Sequence, residues 1–185
     1  AHPGLPDLRG FGRRNMAISP ADAELDVMYQ IGALKAFCQA AGVPLHHVKP
    51  HGALYNMAAK DPALAQAICR AVQAAAPEAM LLALSGSEML KAAQEMGLRV
   101  CSEVFADRAY RADGTLVPRG LPGAMIENED DAIARVVQMA KQGTVCAADG
   151  STVTLQADSV CVHGDGRKAL CFVKKLSEAL PAAGT

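Results

Sequence analysis

The chain has no tryptophan, and aromatic residues make up only 4% of it. A platform for stacking bases needs several exposed rings, so the composition argues against single-stranded nucleic acid as a partner. There is no surplus of basic charge either. Eighteen Lys and Arg stand against 19 Asp and Glu, a net of −1, so no basic stripe is available to track a phosphate backbone. No apolar run approaches the roughly 20 residues needed to cross a bilayer, and no secretory leader is visible. The expectation is a cytoplasmic protein with no membrane and no nucleic-acid partner.

Other absences concern chemistry. The six cysteines include no C-x-x-C pair, which argues against a zinc knuckle or redox motif. They read as reduced core residues. Neither G-x-x-x-x-G-K-[ST] nor G-x-G-x-x-G occurs, so a nucleotide would need another architecture. A metal site could draw on His2, His51, His163 and a carboxylate.

What remains is an ordinary globular composition, 51% hydrophobic and 20% charged over 185 residues. Residues 1–180 are read as one domain and 181–185 as a tail. Residues 1–15, rich in Gly, Pro and Arg, read as a loop. Ser19-Pro20-Ala21-Asp22 starts a helix, with Ser19 as cap and Asp22 at the positive end of the dipole. Leu25, Met28, Tyr29, Gly32, Ala33, Ala36, Phe37 and Ala40 recur along it as an apolar stripe. Strands are predicted at 45–49, 79–84, 98–105 and 159–162. Helices start at Asp61-Pro62, after Ser85-Gly86-Ser87, and at Asn128, and a last helix stops before Pro181. A long loop covers 107–123, and a hairpin covers 144–156 with its turn at Asp149-Gly150. Strands alternating with helices predict a parallel α/β domain.

The ionisable residues have a common address. Lys49 and His51 follow the first strand, Ser85 and Ser87 the second, Glu103 and Asp107 the third, and His163 the last. Parallel α/β proteins place their sites at that C-terminal edge. Strand alternation puts His47 with Lys49, Cys101 with Glu103, and Cys161 with His163, each opposite valines that can pack outward. A buried Lys or Glu needs a partner, so these groups are expected to point together. Weaker signals accompany them. His163-Gly164-Asp165-Gly166 could offer backbone N–H groups to an anion, or be an ordinary glycine-rich turn. Ser85-Gly86-Ser87 is explained by helix capping. Arg13-Arg14 and the loop residues Arg108, Arg111 and Arg119 could clamp phosphate or carboxylate, although solvated surface arginines are the simpler reading for most. His46 reads as outward-facing.

Several blocks occur jointly and in order: Ala1-His2-Pro3-Gly4-Leu5-Pro6-Asp7, Gly10-Phe11-Gly12-Arg13-Arg14, and His47-Val48-Lys49-Pro50-His51-Gly52-Ala53-Leu54-Tyr55. They continue with Ser102-Glu103-Val104-Phe105-Ala106-Asp107-Arg108, Leu116-Val117-Pro118-Arg119 and Cys161-Val162-His163-Gly164-Asp165. Together they resemble the LamB/YcsF family of 5-oxoprolinase A subunits. The resemblance implies a seven-stranded (β/α) barrel of the glycoside hydrolase/deacetylase type. It implies ATP-dependent opening of 5-oxoproline to L-glutamate, in a complex with subunits B and C. Family members begin with a segment carrying Asn-Cys-Asp-Leu-Gly-Glu-type and Gly-Phe-His-Ala-Gly-Asp-type motifs. Neither is present, so the barrel is expected to be N-terminally incomplete here.

The implied chemistry assigns roles. A lactam resists water, so ATP would phosphorylate its oxygen before water attacks and the ring C–N bond breaks. That path needs cations for phosphate oxygens and a base for water. Lys49 would meet phosphate or substrate carboxylate, His51 and His163 would shuttle protons, and Glu103 or Asp107 would be base or orienting carboxylate. His2, Arg13, Arg108, Arg119 and Asp165 would bind substrate or phosphate. ATP usually brings Mg²⁺, and no other metal is assigned. The competing readings are a metal-dependent deacetylase or amidohydrolase on a sugar-like amide, and a non-catalytic scaffold protein within the complex.

Overall fold

The computed structural model describes residues 1–164 and 169–182. The chain forms two compact units, Ala1–Cys101 and Ser102–Thr185.

In the first unit, helix α1 (Pro20–Ala40) begins as predicted, with the Ser19 hydroxyl accepting from Asp22 N and Pro20 in the first turn. Strand β1 (His47–Val48) pairs in parallel with β2 (Met80–Leu84), His47 opposite Met80 and Val48 opposite Leu81. A short helix, α2 (Gly52–Ala58), follows β1 and was not foreseen. Its N-cap, His51, makes no side-chain capping bond and its first residue is glycine, so the usual start signal is missing. Helix α3 (Pro62–Ala75) is capped by Asp61, whose carboxylate accepts from Ala63 N and Leu64 N. Helix α4 (Glu88–Glu95) is capped by Ser87. Leu81 N continues the ladder by donating to Arg99 O at 2.8 Å. Helix α3 packs on both α1 and α4, and Val48, Ile68, Val72, Leu81 and Met89 fill the core.

Helix α1 turns a different face inward from the one its periodicity suggested. Ala23, Val27 and Ile31, spaced by four, are buried, whereas Tyr29 and Phe37 are 78% and 74% exposed and Leu25 is exposed too. The helix carries apolar residues on more than one side, so spacing alone does not choose the face. Close packing on α3 selects the narrow stripe of one small and two β-branched side chains.

In the second unit, β3 (Val100–Phe105) pairs in parallel with β6 (Ser159–Cys161), Glu103 opposite Ser159 and Phe105 opposite Cys161. The Asn128 side chain caps helix α5 (Glu129–Gln142) by accepting from Asp130 N and Asp131 N, and Gly143 ends it in the left-handed region at φ 62°. Strands β4 (Thr144–Cys146) and β5 (Thr152–Thr154) form the predicted hairpin, closed by Ala147 N donating to Ser151 O at 2.8 Å. Helix α6 (Ala169–Ala182) packs on α5 and extends past the expected stop before Pro181.

The long loop is more ordered than its composition suggests. Bridges link Arg108 to Met125 and Tyr110 to Leu116, and Ala109, Val117, Ala124 and Ile126 form a small core of their own. The expectation of core cysteines holds for Cys69, where burial pushes the thiol up to about 12. It fails for Cys146 and Cys171, which are exposed, and Cys38, Cys101 and Cys161 are half-buried. Among the described residues, no helix is long and apolar enough to cross a membrane.

Candidate functional site

The first unit gathers His2, Lys49 and His51. Residues 1–3 lie alongside β1 as an extra extended stretch: Lys49 N donates to Ala1 O at 2.9 Å and His51 N to Pro3 O at 2.8 Å. This ladder, in a segment read as a loop, brings two histidines 49 positions apart into contact. His51 Nδ1 lies 2.9 Å from His2 Nε2. His2 Nδ1 lies 2.5 Å from the Lys49 carbonyl oxygen, and His51 Nε2 lies 2.7 Å from that of Phe11. The rings of His2 and Phe11 both meet His51 edge-on. The Lys49 ammonium sits 5.8 Å from the centre of the Tyr55 ring, and the Arg13 guanidinium 5.4 Å from that of Phe11.

Glycines make this enclosure possible. Gly52 has φ +57°, and a Cβ there would sit 2.5 Å from Gly12 O. The approach lets Ala53 N donate to Gly12 O at 2.8 Å, which pins the loop against the start of α2. Gly12, at φ +66°, lies against the His51 ring. Asp7 holds the loop from inside. Its buried carboxylate accepts from Gly10 N at 2.9 Å and from Arg14 Nε at 3.0 Å, and it also meets Arg14 Nη2. The Arg14 guanidinium keeps the Asp7 carboxyl down at about 2. Desolvation in this setting lowers the pKa of His2, and the nearby charges of His51 and Lys49 push the same way, against the Lys49 carbonyl bond that raises it.

The second unit gathers Glu103, Asp107, Arg108 and His163. His163 Nδ1 lies 2.8 Å from Asp107 Oδ2, and its ring stacks on Phe105 with centroids 6.0 Å apart. A carboxylate at Nδ1 fixes the proton there and leaves Nε2 as the basic nitrogen. Glu103 is 2% exposed, inside the unit on β3. Arg108 is only 4% exposed, which corrects its reading as a solvated loop residue. It donates to Val117 O, while its Nε has no partner among the described residues. Burial lowers its pKa, and the like charge of Arg119 adds to that. Tyr110, also buried, accepts from Phe105 N at 2.8 Å through its hydroxyl and braces the end of β3.

Of the sequence-derived candidates, His2, Lys49 and His51 thus come together in one unit, and Asp107, His163, Arg108 and Glu103 lie in the other. Arg13 is exposed, Arg119 half-buried, and His46 exposed as expected. Asp165 falls outside the described residues. The Ser87 hydroxyl caps α4 by accepting from Leu90 N, in keeping with the capping reading. Sequence reasoning named Arg14 as a clamp for phosphate or carboxylate but passed over its partner Asp7, and it passed over Tyr110. Both contacts lie in or beside loop segments, where helix and strand periods do not say which residues meet. Among the described residues, no three His, Cys, Asp or Glu side chains gather to hold a metal.

Parallel strands alternating with helices, with an imidazole–carboxylate couple at strand C-terminal ends, define an α/β protein of the kind that carries its chemistry on that edge. The model of the LamB/YcsF family matches residues 1–185, and the chain belongs to that family. A 5-oxoprolinase A subunit from Clostridium beijerinckii is 58% identical over 180 residues, covering 97% of this chain and 71% of that protein. The Bacillus subtilis 5-oxoprolinase A subunit is 55% identical over 184 residues, covering 100% and 72%. The crystal structure of a lactam utilization protein from Thermus thermophilus matches with a TM-score of 0.88 at 48% identity, covering 100% of this chain and 73% of that one.

Proposed function

We propose that the chain is the A component of a 5-oxoprolinase, working with subunits B and C to open 5-oxoproline to L-glutamate at the expense of ATP. The observation that carries this reading is identity of 55% along the whole chain with a protein of that name. We also propose that its parallel strands belong to a (β/α) barrel of the glycoside hydrolase/deacetylase type, which the likeness to the lactam utilization protein supports.

The lactam carbon is a poor electrophile, and phosphorylation of its oxygen by ATP would make it a good one. His163 is suited to take the proton of the attacking water at Nε2, because Asp107 occupies Nδ1. Arg108 and Arg119 carry positive charge that matches phosphate oxygens, and the buried Arg108 Nε, without a partner among the described residues, is a donor suited to one. Lys49 suits a carboxylate or phosphate, with Arg13 as a second, exposed cation. Glu103 supplies a buried carboxyl group. Mg²⁺ would rest mainly on ATP phosphates, its usual manner.

The test is release of glutamate from 5-oxoproline by the assembled complex. Release is expected only with ATP and with this chain present. Release at an undiminished rate without ATP, or without this chain, would overturn the reading.

A further inference from the structure

The hydrogen-bond partners of His2 and His51 call for one proton more than two neutral rings hold. His2 Nδ1 and His51 Nε2 both face carbonyl oxygens, at 2.5 and 2.7 Å. A carbonyl oxygen only accepts, so each of those nitrogens carries hydrogen. In a neutral imidazole the second nitrogen then bears a lone pair. The two second nitrogens, His2 Nε2 and His51 Nδ1, face each other at 2.9 Å. Two lone pairs at that separation repel, and a hydrogen bond there needs a proton between them. Moving a proton to the other tautomer of either ring would set a lone pair against a carbonyl oxygen instead. Two protons in the gap would clash.

Desolvation and the cationic Lys49, just after β1, oppose charge on His2, while the Lys49 carbonyl bond favours it, so a second extra proton is disfavoured. Asp7, the acidic residue of the loop that carries Gly12, is occupied by Arg14.

We propose that His2 and His51 share a single proton and work as one acid, the donor to the lactam ring nitrogen; this role rests on the function proposed above. When the ring C–N bond breaks, its electron pair stays on nitrogen, which takes the shared proton. The facing lone pairs left behind then draw a replacement proton from solvent.

Histidine labelled with ¹⁵N in the whole protein tests the shared proton without reference to turnover. The expected result is a ¹⁵N–¹⁵N coupling across the His2–His51 hydrogen bond, with both rings shifting together in one pH step. Independent titration of the two rings, or absence of the coupling at a pH where the pair is charged, would overturn the proposal. In the assembled complex, His2→Gln and His51→Gln should each lower kcat/KM about 100-fold, a size usual for acid catalysis. The double variant should lose no more than either single one, whereas multiplying losses would overturn joint action. Thermal unfolding of each variant checks that it is folded, and the wild-type spectrum needs no variant. If the wild-type complex opens no 5-oxoproline, the donor role falls with the proposed function, and the titration alone decides the shared proton.

Discussion

Asp107 holds His163 by its Nδ1, at 2.8 and 3.1 Å from its two carboxylate oxygens. The two residues are 56 positions apart, at the ends of the neighbouring strands β3 and β6. The bond sets which ring nitrogen is basic, and that is a chemical choice that the side chain alone does not make.

Replacing Asp107 with Asn removes the charge that fixes this tautomer. Asp107→Asn should lower kcat for 5-oxoproline opening by the assembled complex about 100-fold or more, within the range of acid–base contributions. Steady-state kinetics measures the loss. Unchanged kcat would remove His163 from the proposed chemistry.

Arg108 is a buried cation whose Nε has no partner among the described residues, with a like-charged neighbour in Arg119. An anion bound there would relieve both costs. Inorganic phosphate should therefore raise the thermal midpoint of the wild-type protein and leave that of Arg108→Met unmoved. Differential scanning fluorimetry against phosphate concentration separates the two, with chloride as the control for ionic strength.

Asp7 titrates at about 2 in the folded chain, against about 3.9 for an unfolded aspartate. The folded value is the lower one, so the Asp7–Arg14 pair stabilises fully above about pH 4. That contribution drains away as the pH falls toward 2. Asp7→Asn should flatten this part of the acid-stability curve. Urea unfolding between pH 2 and 5 tests it, and identical slopes for the two proteins would contradict the assignment.

Gly52 and Gly86 both have positive φ, +57° and +73°, but only Gly52 has backbone where a Cβ would go. Gly86→Ala should cost only the left-handed conformation, about 1–2 kcal/mol. Gly52→Ala should cost clearly more and should disturb His51. Chemical denaturation gives the first difference, and the His51 ring resonances report the second.

The inward face of α1 can be checked by truncation. Ile31→Ala should cost about 2–5 kcal/mol, as a fully buried side chain does. Phe37→Ala, at an exposed position, should change stability by about 0.5 kcal/mol or less. The reverse order would restore the face that the periodicity suggested.

Much of the secondary structure was legible along the chain. Ser19, Asp61, Ser87 and Asn128 each accept backbone N–H bonds at the helix starts their residue types announced, because capping is local chemistry. The hairpin turning at Asp149-Gly150 was legible for the same reason. Helix α2 was not, since His51 and Gly52 start it without a capping side chain. The buried face of α1 was not, since apolar residues encircle that helix.

By itself, the order of residues determined the caps, the turns, the alternation of strand and helix, and the placing of His51, Asp107 and His163 just beyond strand ends. These follow from backbone sterics and hydrogen bonds within a few positions. Tertiary structure alone decided that His2 meets His51, that Asp107 rather than Glu103 holds His163, that Arg108 is buried, and that Asp7 grips Arg14. Each depends on register between chain segments and on which groups lose their water. Protonation and charge depend on that desolvation and on the partners it leaves within reach.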